Sequence, residues 1–391
     1  MRFLRRYAPS LVLFLFLGAG AGAQSYLVHP SQYKTLEGES AFSYPFSYSP
    51  TSATYRQMIF QQVHDNLSQA PLPLKGIAFR RDASVLYFWP AWSAVLELVV
   101  AHAPQGVNSQ NMTKTFASNL GKDQTVVIAK KKIQFPPSVG KGAFPRPFVF
   151  NLVFDRGKVF LYKGGGRSLT WLLRVFDNDL HTTVGSYVSL DRAYYYQSSM
   201  SISGAYVPIG QGGFAPRQYR SMYSSFYPRL DKKSSPRMIV IDPYISAGPR
   251  GGKAVALLSR LRFRQGLPIG AGGGRLWLNP GTIFFVSSLV DLDYWGNSGK
   301  GLVGPGGKRV SLINLPDNPA IYGVHLFGQM VAVDTKTLSL YFPNACEVQL
   351  PYDPARTGGV PMGTTYYRGS VTRTTGYGPY KSQGLVVRFA W

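Results

Sequence analysis

The chain has 391 residues, a formal net charge of +24 and a single cysteine, with 42 basic residues against 18 acidic ones. One cysteine excludes an intramolecular disulfide framework, and so few acids argue against a calcium-rich module, since each calcium takes several oxygen ligands. The positive excess favours anionic partners (acidic polysaccharide, lipopolysaccharide, phospholipid headgroups or released nucleic acid), without implying specific nucleic-acid recognition.

In chain order, the first segment reads as an export signal over residues 1–23. Arg2, Arg5 and Arg6 form the positive start, Leu11 to Leu17 the apolar run, and Ala21-Gly22-Ala23 the small-residue cleavage site. The run is shorter than the ~20 residues of a membrane-spanning helix, and no later segment reaches that length. Cleavage takes away three arginines and leaves about +21 on a mature chain destined for the periplasm, the cell surface or the medium.

The mature chain then alternates short β-rich runs with glycine and proline breakers: "FVFNLVF", "KVFLY", "RMIVIDPYI", "TIFFVSSLVDL", "LFGQMVAVD". That spacing predicts an all-β protein of two β-sandwich (jelly-roll-like) modules. Tyr55, Met58, Ile59, Val63 and Leu67 fit a helix face and also alternate weakly, so the type of that segment is open; Asn111 to Leu120 fits a short helix ending before Gly121. Phe148 to Phe154 and Ile283 to Val286 are apolar on both parities, which predicts strands buried on two faces rather than between lipid and a wet lumen. Residues 197–236 carry dense turn chemistry and read as a linker or long loop, and 352–363 as a second linker, leaving 237–351 as the second module. Cys346 sits among strand-like residues and reads as a buried small side chain. At the end, Leu385, Val387, Phe389 and Trp391 share one parity. Outer-membrane barrels also close this way.

No catalytic constellation stands out, and no cofactor or metal motif is present. His29, His64, His102, His181 and His325 lack metal-ligand spacing, and the adjacency of His64 and Asp65 does not make their side chains meet. Asp291/Asp293 and Asp177/Asp179 are acid pairs of the kind glycoside cleavage or calcium binding could use, but surface or turn acids explain them as well. The glycine runs "KGGGR", "GAGGGR" and "GLVGPGGKR" lack the Gly-Lys-Ser/Thr ending of a phosphate loop and fit inter-strand loops. The best candidate is a binding surface. Arg260, Arg262 and Arg264 alternate and would share a strand face, and Lys130, Lys131 and Lys132 form a second cluster. Tyr194, Tyr195, Tyr196 and Tyr223 would add aromatic contact to sugar rings.

The stretches "YKTLEGESAFSYPFSY", "IAFRRD", "TFASNLGKDQTVVI" and "TTGYGPYKSQGLVVRF", in this order, resemble one module of a family of uncharacterised secreted β-sandwich proteins from planctomycete-type bacteria. "LINLPDNPAIYGVHLFGQMVAVD" with "LYFPNACEVQL" resembles a second module of the same bacteria. The resemblance implies a first module over 24–196 that is completed by 364–391, with the second module inserted. It implies no activity. The expectation is a secreted, non-catalytic binding or structural protein that engages an anionic extracellular or envelope polymer. The alternatives are a polysaccharide hydrolase or lyase on a β-sandwich, and an outer-membrane barrel.

Overall fold

The computed structural model describes residues 25–38, 40–46, 56–83, 85, 88–138, 145–180, 188–194, 201–213, 222–246, 248–249, 252–269, 273–292, 308–309, 312–353 and 360–391. The expected export signal, His181, Tyr195, Tyr196 and Asp293 lie outside them.

The fold is all-β, built from antiparallel sheets with only short 3₁₀ turns between them. Among the described residues no sheet closes into a barrel, and no helix is long and apolar enough to cross a membrane. The first module packs a four-stranded sheet (Tyr26–His29, Val387–Ala390, Gly76–Arg80, Phe148–Val153) against a six-stranded one (Tyr377–Lys381, Met362–Arg368, Met58–His64, Leu169–Asn178, Trp92–His102, Thr125–Phe135), each in spatial order. Between them lie Phe60, Phe79, Phe150, Trp171, Leu173 and Phe389.

The chain's end completes this module. Val387–Ala390 runs between Tyr26–His29 and Gly76–Arg80, while Met362–Arg368 pairs with Met58–His64. Leu385, Val387 and Phe389 are fully buried, each worth roughly 1.5–3 kcal/mol on transfer from water. The Gln62 amide clamps the returning chain, accepting from Leu385 N and donating to Leu385 O, both at 2.9 Å. The alternating ending is therefore a buried core strand of the N-terminal sandwich, as expected, and the second module is inserted before it.

The second module packs the sheet of Ser201–Ser203, Tyr223–Asp231 and Met238–Ser246 on that of Ala205–Ile209, Ala345–Gln349, His325–Val333, Lys253–Ser259 and Ile283–Val286. Phe226, Ile239, Ile241, Leu258, Met330 and Cys346 fill its core. Residues 197–236 are thus no linker, because they contribute three strands to this module. The 352–363 linker is likewise shorter than expected, since a strand begins at Met362.

Two-sided burial falls on other strands than the apolar runs suggest. All seven residues of Met58–His64 are buried, because this strand is central. Met58 and Phe60 face the main core, while Ile59 meets Val99, Phe116 and Leu172 on the far side. Phe148–Val153 and Ile283–Val286 lie at sheet edges, with Val153 65% and Val286 60% exposed. The segment at 58–64 is therefore a strand, and only Phe116–Asn119 of the expected 111–120 helix is helical, as a single 3₁₀ turn.

Candidate functional site

In the second module a cleft of about 600 Å³ is lined by Gly210, Gln211, Gly212, Gln265, Gly273, Arg275 and Trp277. It is framed by the hairpin of Arg262–Leu267 and Leu276–Leu278, whose first strand carries two of the predicted arginines, Arg262 and Arg264. Buried Gln329 anchors this hairpin to the main sheet. Its Oε1 accepts from Trp277 N at 2.9 Å, and its Nε2 donates to Arg275 O at 2.7 Å and Pro343 O at 2.9 Å. The Trp277 indole lies between two glycines with positive φ. A Cβ at Gly210 (φ +71°) would stand 2.1 Å from Trp277 Cζ2, and one at Gly266 (φ +67°) 2.9 Å from Cδ2. Only glycine permits both that backbone and that approach. Arg275 is held across the hairpin by its Nη1, which donates to Gln265 O at 3.0 Å and Gly266 O at 3.1 Å.

Arg260, Arg262 and Arg264 are all exposed, on or just before the strand that frames the cleft, and none of them lines it. Strict alternation does not set their positions. Arg260 precedes the strand, and the five steps from Arg262 to Leu267 oppose only two steps from Leu278 to Leu276, so the strand bulges. The Arg260 guanidinium lies 5.9 Å from the Phe284 ring and that of Arg262 5.6 Å from the Phe327 ring. Among the described residues no carboxylate pairs with Arg260, Arg262, Arg264 or Arg275.

The lysine cluster stands apart, on the first module. Lys130, Lys131 and Lys132 lie on the edge strand Thr125–Phe135, where a bulge exposes all three. Lys131 is bonded to Asp155, Lys132 is 3.9 Å from Asp179, and Lys130 sits 4.2 Å from the Phe176 ring. Lysines on an edge strand also deter edge-to-edge pairing, which accounts for them without a ligand. Tyr194 is half-buried under Arg192, 4.6 Å from its ring. Tyr223 packs in a cluster with Tyr206 and Tyr227, and burial, with Cys346 and Tyr227 nearby, pushes its hydroxyl up to about 12. In this cluster the exposed ring is Tyr227, at 45%.

The carboxylates that do converge are sealed inside the protein. Oxygens of Glu37, Asp82 and Asp191 lie within 4.8 Å of one another, and all three residues are buried. Arg80 Nε donates to Asp191 Oδ2 at 2.6 Å, and Gly38 N donates to Asp191 Oδ1 at 2.8 Å. Glu37 Oε1 accepts from Ala83 N at 2.8 Å and its Oε2 from Arg146 N at 3.2 Å. Burial, with Asp191 close by, raises the Glu37 carboxyl well above its ordinary range. Arg80, Arg81 and Arg146 supply counter-charge from the same region, so the group reads as a buried ion network. Glu37 also ties the modules together: its N donates to Gln349 Oε1 at 2.8 Å, and its O accepts from Gln349 Nε2 at 3.0 Å.

Of the acid pairs noted in the sequence, Asp177 and Asp179 are not part of this group. Asp179 accepts from Ser93 N and Oγ, both at 2.5 Å, while Asp177 caps the backbone of Asn178 at 3.0 Å.

The four described histidines are structural in their contacts. His102 Nδ1 meets Asp123 at 2.5 Å, but its Nε2 already accepts from Lys163 N at 2.9 Å. His325 Nδ1 meets Glu347 at 2.9 Å. His29 and His64 are buried with Nδ1 atoms 3.0 Å apart. The Asp65 carboxylate binds Ser109 N and Ser168 Oγ, at 3.0 and 2.7 Å, and only its backbone O reaches His29.

No family model and no curated protein matches the chain. Trp277, Arg275, Gln211 and Gln265 are the cleft residues that sequence reasoning missed. The one available signal was the "GGGRLWL" run (residues 272–278), in which a glycine turn delivers an arginine and a tryptophan to the same hairpin.

Proposed function

We propose that the protein is an exported, non-catalytic binding protein whose second module engages an anionic extracellular or envelope polymer. The observation that carries this reading is Arg275 in the cleft with Arg260, Arg262 and Arg264 exposed on the segment that frames it, and no carboxylate paired to any of the four among the described residues. Guanidinium groups pair bidentately with carboxylate or sulfate, and the Trp277 ring, packed between Gly210 and Gly266, adds apolar lining to the same cleft. The mature chain's net charge of about +21 would draw such a polymer over a distance set by ionic strength. Enclosure of the convergent acids Glu37, Asp82 and Asp191 argues against a hydrolase or lyase working through them, since a substrate must reach its acid pair.

The test is chromatography of the mature protein on an immobilised polyuronate with a salt gradient, beside a neutral polysaccharide matrix. Retention on the polyuronate alone, with earlier elution for the quadruple variant R260A/R262A/R264A/R275A, is the expected result. Unchanged elution of that variant would sink the assignment to the cleft.

A further inference from the structure

A second, smaller site lies on the first module, on the outer face of the four-stranded sheet. The register sets it out in two rows. One crosses the strands as Tyr26, Ala390, Gly76, Val153, and the next as Val28, Arg388, Ala78, Asn151. Small side chains at Ala390, Gly76 and Ala78 on the two central strands leave a trough of about 260 Å³, rimmed by Tyr26, Asn151, Val153 and Arg388. Gly76 keeps the floor open, because a Cβ there would sit a tight 3.1 Å from Leu152 O.

Arg388 is the polar centre of this trough. Its guanidinium lies 4.3 Å from the Tyr26 ring and 5.4 Å from the Phe148 ring, and its Nη2 donates to Asn151 Oδ1 at 2.8 Å. Its Nε–H has no hydrogen-bond partner, and no carboxylate pairs with it among the described residues. The trough therefore holds a pre-oriented cation, an aromatic face at Tyr26 and an amide at Asn151. Pre-orientation matters because an arginine already held by two rings loses little further freedom on binding.

We propose that this trough binds a single carboxylate-bearing sugar residue. The carboxylate takes the Arg388 guanidinium, the ring lies against Tyr26, and a hydroxyl meets the Asn151 amide. A uronate suits the site better than a neutral sugar because the site's one charged group lacks a counter-ion. It suits it better than a long apolar group because the floor is only one side chain deep. The proposal is independent of the cleft: it concerns the other module and shares no residue with it.

The experiment is titration calorimetry of the full mature chain with a short galacturonic acid oligomer, and with the uncharged galactose oligomer as comparison. Arg388→Met removes the cation, and Ala390→Phe fills the trough while leaving Arg388 in place. The quadruple arginine variant of the cleft removes the other site. The expected result is about tenfold or greater weakening in each trough variant, as for loss of a charge-assisted hydrogen bond. Thermal unfolding would remain cooperative, and one uronate site would persist in the quadruple cleft variant. Equal affinity for the neutral oligomer, or undiminished binding in both trough variants, would overturn the proposal. So would loss of all binding in the quadruple cleft variant alone, which would place the ligand entirely in the second module.

Discussion

Acid should loosen the first module through a single pair of side chains. Trp171 Nε1–H donates to His64 Nε2 at 2.9 Å, so the His64 proton sits on Nδ1. That proton points at His29 Nδ1, 3.0 Å away, which must accept, and His29 Nε2–H then donates to Asp65 O at 3.0 Å. Both rings are neutral and each nitrogen is committed. Any added proton would set one N–H against another inside the core. Burial accordingly lowers His29 from 6.5 to about 4 and holds His64 well below its ordinary value. Between pH 6.5 and 4 the unfolded chain takes up protons that the folded chain refuses, so stability falls as pH drops through that window. At about 1.4 kcal/mol per pH unit, His29 alone costs about 3 kcal/mol by pH 4, and His64 adds to it. That is a large share of an ordinary domain's ~5–15 kcal/mol. Glu37 works in the opposite direction: its raised carboxyl favours the folded state at low pH and loses that contribution as pH rises. Subtraction separates the two effects. Denaturant midpoints from pH 8 to pH 4, for the natural chain and for H29F/H64L, should show a double variant that is weaker at pH 8 but about 3 kcal/mol or more flatter across the window. An unchanged pH slope in the double variant would refute the reasoning.

Arg80→Met should destabilise the protein by roughly 3–5 kcal/mol, because it strands the buried Asp191 carboxylate. The Arg80→Met/Asp191→Leu double variant should cost less, and denaturant unfolding measures both. A single-variant cost below about 1 kcal/mol would mean that Asp191 is relieved by taking up a proton rather than by Arg80. Cys346 is fully buried, burial pushes its thiol up, and its Sγ donates to Ser224 O at 3.2 Å. A thiol reagent should therefore label it only at the rate of unfolding, whereas rapid labelling of the native protein would contradict its placement.

The all-β class was legible because breakers punctuate the β-rich runs, and the closing strand was legible because Leu385, Val387 and Phe389 alternate toward one core. The strands within 201–231 were hidden by their composition. Pro228 sits inside Tyr223–Asp231, a position that ordinarily argues against a strand. It is tolerated because the pairing with Ser201–Ser203 stops at Arg229 and continues only through Gly204 N, which donates to Pro228 O at 2.8 Å and needs no N–H from the proline. The arginine hairpin could be read as exposed charge. The cleft beside it could not, since Trp277 acquires its setting only when Gly210, far away in sequence, is folded against it.

The same holds for the two stretches "LEGES" and "FRRD". Read in sequence, they look like turns beside core strands. In the fold, Glu37 accepts from Ala83 N while Arg80 Nη2 donates to Leu36 O and Arg80 Nε reaches Asp191. Glu37 in turn grips Gln349 of the inserted module through both backbone polar groups. A glutamate buried at that junction is costly unless each of its partners is in place. Gln349 thus docks the inserted module on a stretch of backbone whose side chains are held by the ion network of the first.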